Sequence, residues 1–272
     1  MLKQRVLAAA VLIPGFLLAL FYSSPLLWML LMGGVTLIAA WEWARIATYP
    51  IFGRVLYVLA LALCLLGLYF FERDGLTAPP MWGLVLVFWL VITPLWLAQH
   101  WVLRQRGLLA LVGLIVLLPT WQAMLSLRAH GVWLLLFLML LVWVADIAAY
   151  VCGRIWGKHK LAPRISPGKT WEGVAGALVG GALYALSWQA WAPADYAHFF
   201  GLSPLGLALV AVFLVAISII GDLFESHMKR CAGLKDSGHL IPGHGGILDR
   251  IDSQTSVLPV ACAAMYFLQW IK

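Results

Sequence analysis

Apolar residues in this chain come in long, nearly unbroken runs separated by short polar segments. A helix needs about 20 mainly apolar residues to cross the hydrocarbon of a bilayer. Nine runs meet that length and predict nine transmembrane helices, over about 5–23, 25–45, 53–71, 81–99, 107–127, 131–152, 173–192, 203–224 and 254–271. Pro94 and Pro119 fall inside the fourth and fifth runs. Each removes a backbone donor, so kinks covered by neighbouring helices are expected there. The opening, MLKQRVLAAAVLIPGFLLAL, has the charged start of a secretory signal. Its apolar stretch is long for a signal and no small-x-small cleavage site follows, so it reads as a retained first membrane helix.

The polar segments set an orientation. With the N-terminus in the cytoplasm, fifteen of the 18 Lys and Arg fall inside, and only Arg73, Arg128 and Lys272 fall outside. This is the bias of biological membranes. The expected fold is an all-α polytopic integral membrane protein of about nine transmembrane helices. It forms a single membrane-embedded domain over 1–272. Residues 1–130 supply the N-terminal helices, and 131–272 the C-terminal helices and the cytoplasmic loops that carry the chemistry.

Composition agrees. The 272 residues are 64% hydrophobic and 11% charged, with a mean hydropathy of +0.95, whereas soluble domains carry about 25% charged residues. The net charge of +7 does not indicate nucleic acid, because the bases lie in short loops and form no basic face. Cys64, Cys152, Cys231 and Cys262 are isolated and form no CxxC pair, so they read as small buried hydrophobes. Gly176 and Gly180 form a GxxxG in the seventh run. Such glycines serve helix packing within one chain or a homodimer.

The chemistry concentrates in two loops. Five of the 11 acidic residues (Asp222, Glu225, Asp236, Asp249 and Asp252) lie between the eighth and ninth runs. Asp222 ends an apolar run, and a membrane carboxylate usually has a function. Asp249 and Asp252, three apart, share a face on a helix. Such a cluster is best reconciled by a hard cation such as Mg²⁺; the alternative is salt bridging to Lys229, Arg230 or Arg250. Lys229, Arg230, Lys235 and Arg250 suit phosphate oxygens. The run Gly243-His244-Gly245-Gly246 would let backbone N–H groups approach an anion, or is simply a turn. His227, His239 and His244 lack zinc spacing.

The second loop runs from Gly153 to Gly173. Its Gly168-Lys169-Thr170 imitates a phosphate-binding loop, but Pro163 stands where that motif needs glycine and no strand is expected before it. Ser166, Lys169 and Thr170 still suit phosphate, and Thr170 also suits capping of the seventh helix. Asp146 is a further membrane carboxylate, with structural pairing and a site role equally open.

These residues resemble the signature of the phosphatidate cytidylyltransferases, also called CDP-diacylglycerol synthases. The match covers Ser226, Lys229-Arg230, Lys235-Asp236, Gly238, Pro242, His244-Gly245-Gly246 and Asp249-Arg250-x-Asp252. Upstream, Asp146-x-x-Ala149-Tyr150, Gly157 to Leu161 and Ser166 to Gly173 look like the family's second block. The N-terminal half resembles the family only in length and hydropathy.

The resemblance implies a Mg²⁺-dependent transfer of CMP from CTP to phosphatidic acid in the bilayer, with pyrophosphate leaving, at a site facing the cytoplasm on the inner (cytoplasmic) membrane. It implies metal ligation by Asp222, Asp249 and Asp252, with room for a second, monovalent cation. Catalytic roles are expected for Asp222, Lys235, Asp236, Asp249 and Arg250. Substrate contacts are expected from Ser166, Lys169, Thr170, Ser226, Lys229, Arg230, His244, Gly245 and Gly246. A transporter of phosphorylated lipids is the main rival, weakened because no paired halves appear. A CDP-alcohol phosphotransferase would need a DGxxAR motif that this chain lacks.

Overall fold

The computed structural model describes residues 2–71, 78–193, 201–238, 240 and 245–268. In chain order the elements are α1 (Leu2–Tyr22), α2 (Pro25–Ile46), α3 (Ile51–Phe71), α4 (Ala78–Val87), a π-helical turn (Phe88–Ile92) and α5 (Thr93–Gln99). Then come α6 (Arg106–His130), α7 (Val132–Trp156), β1 (Lys160–Ala162), β2 (Ser166–Thr170), α8 (Trp171–Trp191), α9 (Pro204–Cys231), α10 (Leu248–Ile251) and α11 (Gln254–Phe267). Each predicted apolar run is helical over its described residues, apart from single end residues (Ser23, Gly131, Ala192, Ser203 and Leu268). Six helices among the described residues are long and apolar enough to cross a membrane: Pro25–Ile46, Ile51–Phe70, Pro79–Gln99, Arg106–His130, Val132–Ile155 and Pro204–Cys231. Ile13–Tyr22 and Gln254–Phe267 are shorter apolar helices.

Local chemistry starts and bends these helices. Ser24 and Ser203 cap α2 and α9 by accepting from the N–H groups of Leu27 (3.2 Å) and Gly206 (3.1 Å), each followed by proline at the first helical position. Pro94 is accommodated by the π-helical turn just before it, which loosens the hydrogen-bond ladder where the proline cannot donate.

Two differences from the predicted elements bear on the site. The loop 153–173 contains a short antiparallel hairpin, with Lys160 opposite Thr170 and Ala162 opposite Ser166. The pairing is too short to give a hydrophobic alternation, so no pattern announces it. The eighth run was expected to end near 224, yet α9 continues to Cys231. It can do so because its last turns are not bare in lipid: Glu225 and Lys229 pair four residues apart, and Phe224 packs edge-on against Phe88, Trp89 and Trp96.

The small residues of α8 pack within the chain. A Cβ on Gly176 would lie 2.5 Å from Cys152 Sγ, one on Gly180 would lie 2.7 Å from Ala148 Cβ, and one on Gly181 would lie 2.6 Å from Val215 Cγ2. Glycine thus lets α8 close against α7 and α9. At the start of α11, Ser256 donates to the Ile217 carbonyl (3.0 Å) and Gln254 to the Met139 carbonyl (3.3 Å). Those bonds fix the end of the acidic loop against α9 and α7.

Candidate active site

The ends of α7, α8 and α9 and the hairpin enclose a cleft of about 520 Å³. Asp146, Ser166, Gly168, Lys169, Thr170 and Asp222 line it, together with Tyr150 and Arg154. At its wall Lys169 Nζ lies 2.5 Å from Asp222 Oδ2, both side chains about a quarter exposed. Asp146 is near enough to feel the charges of Asp222 and Lys169, and it forms no ion pair among the described residues. Thr170 caps α8 by accepting from Gly173 N–H at 3.1 Å, as the sequence suggested. Glu172 accepts from the backbone N–H of His159 and contacts its Nδ1 at 2.7 Å, closing the base of the hairpin.

Behind the cleft lies a buried knot of charge. Lys229 Nζ stands 2.5 Å from Glu225 Oε2 and 2.6 Å from Asp249 Oδ1. Lys229 thus answers Glu225 Oε2, while Glu225 Oε1 is buried with no hydrogen-bond partner. Asp249 accepts further bonds from the N–H groups of Gly246 (2.8 Å) and Ser237 (3.0 Å). Burial works to raise the Asp249 carboxyl, but Lys229 and these N–H groups outweigh it and hold the group below the ordinary carboxylate range. Asp252 behaves oppositely: burial, then the charges of Asp222 and Glu225, push it well above that range. Gly221 is the reason α9 and the acidic loop can approach. A Cβ there would sit 2.8 Å from Ser256 Cβ and 3.2 Å from the Asp252 carbonyl.

The structure therefore gathers Ser166, Lys169, Thr170 and Asp222 into one cleft, with Ser226 reaching Asp222 Oδ1 at 3.4 Å. It places Lys229 among carboxylates, where the sequence reading gave it to substrate phosphate. Arg230 donates to the Ile165 and Leu234 carbonyls, tying the hairpin to α9. Lys235 and Asp236 are exposed on the bend before Ser237, and Arg250 is exposed on α10. Gly245 holds a left-handed φ of +86°, a conformation that favours glycine. His244 lies outside the described residues.

Sequence reading missed Glu42. This carboxylate, 4% exposed on α2, accepts from Ser237 Oγ (2.8 Å), Ile247 N–H (3.0 Å) and Leu248 N–H (2.8 Å). Gly238 and Gly246 both close on it so tightly that a Cβ on either would collide with its carboxylate oxygens. Arg45, one turn on, donates to the Ser237 carbonyl at 3.1 Å. The signal was available: Glu42 interrupts an apolar run, and an acid inside a membrane helix is a site candidate by default.

The donor chemistry fits a hard cation. Asp222, Glu225, Asp249 and Asp252 offer carboxylate oxygens in one crowded field, and Glu225 Oε1 is buried with no hydrogen-bond partner. Among the described residues no three metal-binding side chains converge into a ready cage. Mg²⁺ does not require one, since it keeps several waters and is usually held by one or two carboxylates plus substrate phosphates.

Comparison with known proteins places the chain. Residues 3–268 match the model of the cytidylyltransferase family. A phosphatidate cytidylyltransferase of Pseudomonas aeruginosa is 42% identical, with 99% of each chain covered. One from Haemophilus influenzae is 38% identical over 98% of this chain and all of its own length. One from Staphylococcus saprophyticus is 43% identical over 49% of each chain. With a family match across nearly its whole length and relatives this similar from end to end, the chain belongs to the cytidylyltransferase family.

Proposed function

We propose that the protein transfers CMP from CTP to phosphatidic acid, giving CDP-diacylglycerol and pyrophosphate, in a multi-pass bacterial inner membrane. The observation that carries this reading is the Lys169–Asp222 pair on the wall of a cleft at the ends of membrane helices. An ammonium and a carboxylate that satisfy each other there can part to receive an anionic lipid headgroup and a nucleotide. Relatives covered end to end are named for the same reaction.

In this reading a phosphate oxygen of phosphatidic acid attacks the α-phosphorus of CTP. The bond from that phosphorus to the bridging oxygen of pyrophosphate breaks, and pyrophosphate departs with the electron pair. The nucleophile is already ionised near neutral pH, so no protein base is required. The work of the protein is to screen and align two anions. Lys169 neutralises phosphate on entry, while Ser166 and Thr170 border the same space. Asp222, Asp249 and Asp252 would hold Mg²⁺, which when bound offsets charge developing on the phosphates. Lys229 keeps Glu225 and Asp249 compatible in one buried place, and Glu42 fixes the loop that presents Asp249.

The finer topology, nine spans with a cytoplasmic N-terminus and the cleft facing the cytoplasm, belongs to the same proposal. It is supported by the Lys and Arg distribution and by a nucleotide substrate that is cytoplasmic. The direct test is purified protein in detergent with labelled CTP, phosphatidic acid and Mg²⁺. Label extracted with lipid as CDP-diacylglycerol, with equimolar pyrophosphate, is expected; no lipid-bound label from folded protein would overturn the assignment.

A further inference from the structure

A second cavity, of about 670 Å³, lies at the other end of the bundle. Trp28 lines it and Glu42 belongs to the candidate active site; both are on α2, and their 14-residue separation is about 21 Å at the helical rise. The cavity is bounded by the start of α2 and the ends of α3 and α6, and its walls include Leu26, Trp28, Met29 and Leu125. These ends are where the bundle should meet lipid headgroups.

Two polar groups are built into it. Arg128 donates to the carbonyls of Leu20 (2.9 Å) and Ser23 (2.6 Å), and its guanidinium lies 4.9 Å from the Trp28 ring centroid. These contacts hold the group rigidly, and among the described residues no carboxylate pairs with it. Gln122 is six residues earlier on α6, about 9 Å deeper along the helix. It is 2% exposed, and its side-chain oxygen is buried with no hydrogen-bond partner. Its amide nitrogen donates over a long 3.4 Å to Ser126 Oγ, and Ser126 lines the cavity too. Leaving a buried amide half-satisfied is costly unless a ligand or water completes it.

A fixed cation at the rim, a hydroxyl about 3 Å and a turnable amide about 9 Å below it along the helix, and apolar walls match the order of groups in a membrane lipid. Its phosphate lies outermost, its ester carbonyls below, and its acyl chains beyond. The amide of Gln122 can present either its oxygen or its nitrogen, so it can donate to an ester carbonyl. We infer that this cavity is a binding site for a diacyl phospholipid, with the phosphate on Arg128 and the ester region against Ser126 and Gln122, distinct from the site of CMP transfer.

The test uses the full-length protein in detergent, titrated with phosphatidylglycerol and examined by native mass spectrometry. Gln122→Leu keeps the bulk of the side chain while removing its polar end, and should weaken retention of the first phosphatidylglycerol about tenfold, the size of one lost hydrogen bond in a buried site. Ala129→Trp, at a cavity-lining position that bonds to none of these groups, should block the site by bulk alone. Both variants should keep wild-type turnover of CTP with phosphatidic acid, so failure here is distinguishable from failure of the proposed reaction. Equal lipid retention in wild type and both folded variants would overturn the inference and leave a cavity filled by water. Displacement of the lipid by equimolar glycerol phosphate would also overturn it, because the site would then read a free phosphate and not a lipid.

Discussion

Glu42 and Ser237, 195 positions apart in the chain, are joined by a 2.8 Å hydrogen bond inside the protein. The same carboxylate accepts the N–H groups of Ile247 and Leu248, so one side chain on α2 holds both ends of the loop that carries Gly245 and Gly246. Glutamine at this position has one acceptor oxygen in place of two and turns an N–H₂ toward donors. A lost hydrogen bond to a buried charged group costs about 1.5–3 kcal/mol. Glu42→Gln should therefore lower the thermal midpoint and reduce kcat by at least about tenfold. Ser237→Ala, which removes one of the three bonds, should do less. A folded Glu42→Gln protein with wild-type kcat would show that the loop needs no such anchor.

The Lys169–Asp222 pair predicts a different signature. Lys169 is a quarter exposed at the cleft wall, so its loss should cost little stability. Lys169→Ala should leave the protein folded and inserted but raise KM for substrate and depress kcat/KM. Lys169→Arg should retain part of the activity, because it keeps the charge with altered reach. Unchanged kinetics in Lys169→Ala would reduce the pair to a structural contact.

Metal dependence is tested at the carboxylates. EDTA should abolish turnover and added Mg²⁺ restore it. Asp222→Asn should lose most turnover with near-normal stability. Asp249→Asn should lose both, because Asp249 also answers Lys229 and the N–H groups of Gly246 and Ser237; removing one partner of a buried ion pair costs about 3–5 kcal/mol. Thermal midpoint and product formation measured on the same preparations separate the two. Wild-type turnover in both folded variants would exclude them as metal ligands.

Topology can be read by cysteine labelling. Lys158 and Lys235, both exposed, are suitable positions. Gly238 is not, because any side chain there would strike Glu42. Both cysteines should react only after the inner face of the membrane is opened. Labelling of either from the outer face of intact cells would break the proposed common site.

Acid sensitivity follows from Asp249. Its carboxyl is held below the ordinary range in the folded protein, so the stabilisation is fully present above the unfolded value, about 3.9, and is lost as pH falls through the folded one. Asp249→Asn should remove that part of the acid destabilisation, measured as a flatter dependence of thermal midpoint on pH below about 4. An unaltered acid limb would show that other groups govern it.

What the sequence determined by itself was everything that depends on local composition. Runs of apolar residues place the helices, because a bilayer requires each crossing segment to satisfy its own backbone hydrogen bonds. The resemblance over Ser226–Asp252 and Ser166–Gly173 identified the family because those residues are contiguous in the chain. Thr170 as a helix cap was equally legible, since a cap acts within one turn. Tertiary structure alone decided which charges meet. Lys229 could have faced solvent or substrate, and only the crossing of α9 with the acidic loop sets it between Glu225 and Asp249. Glu42 lies far in sequence from every motif, and its role exists only because Gly238 and Gly246 let the loop backbone close around it. Periodicity records which faces are apolar, whereas a charge is stabilised by whatever neighbour the packing supplies.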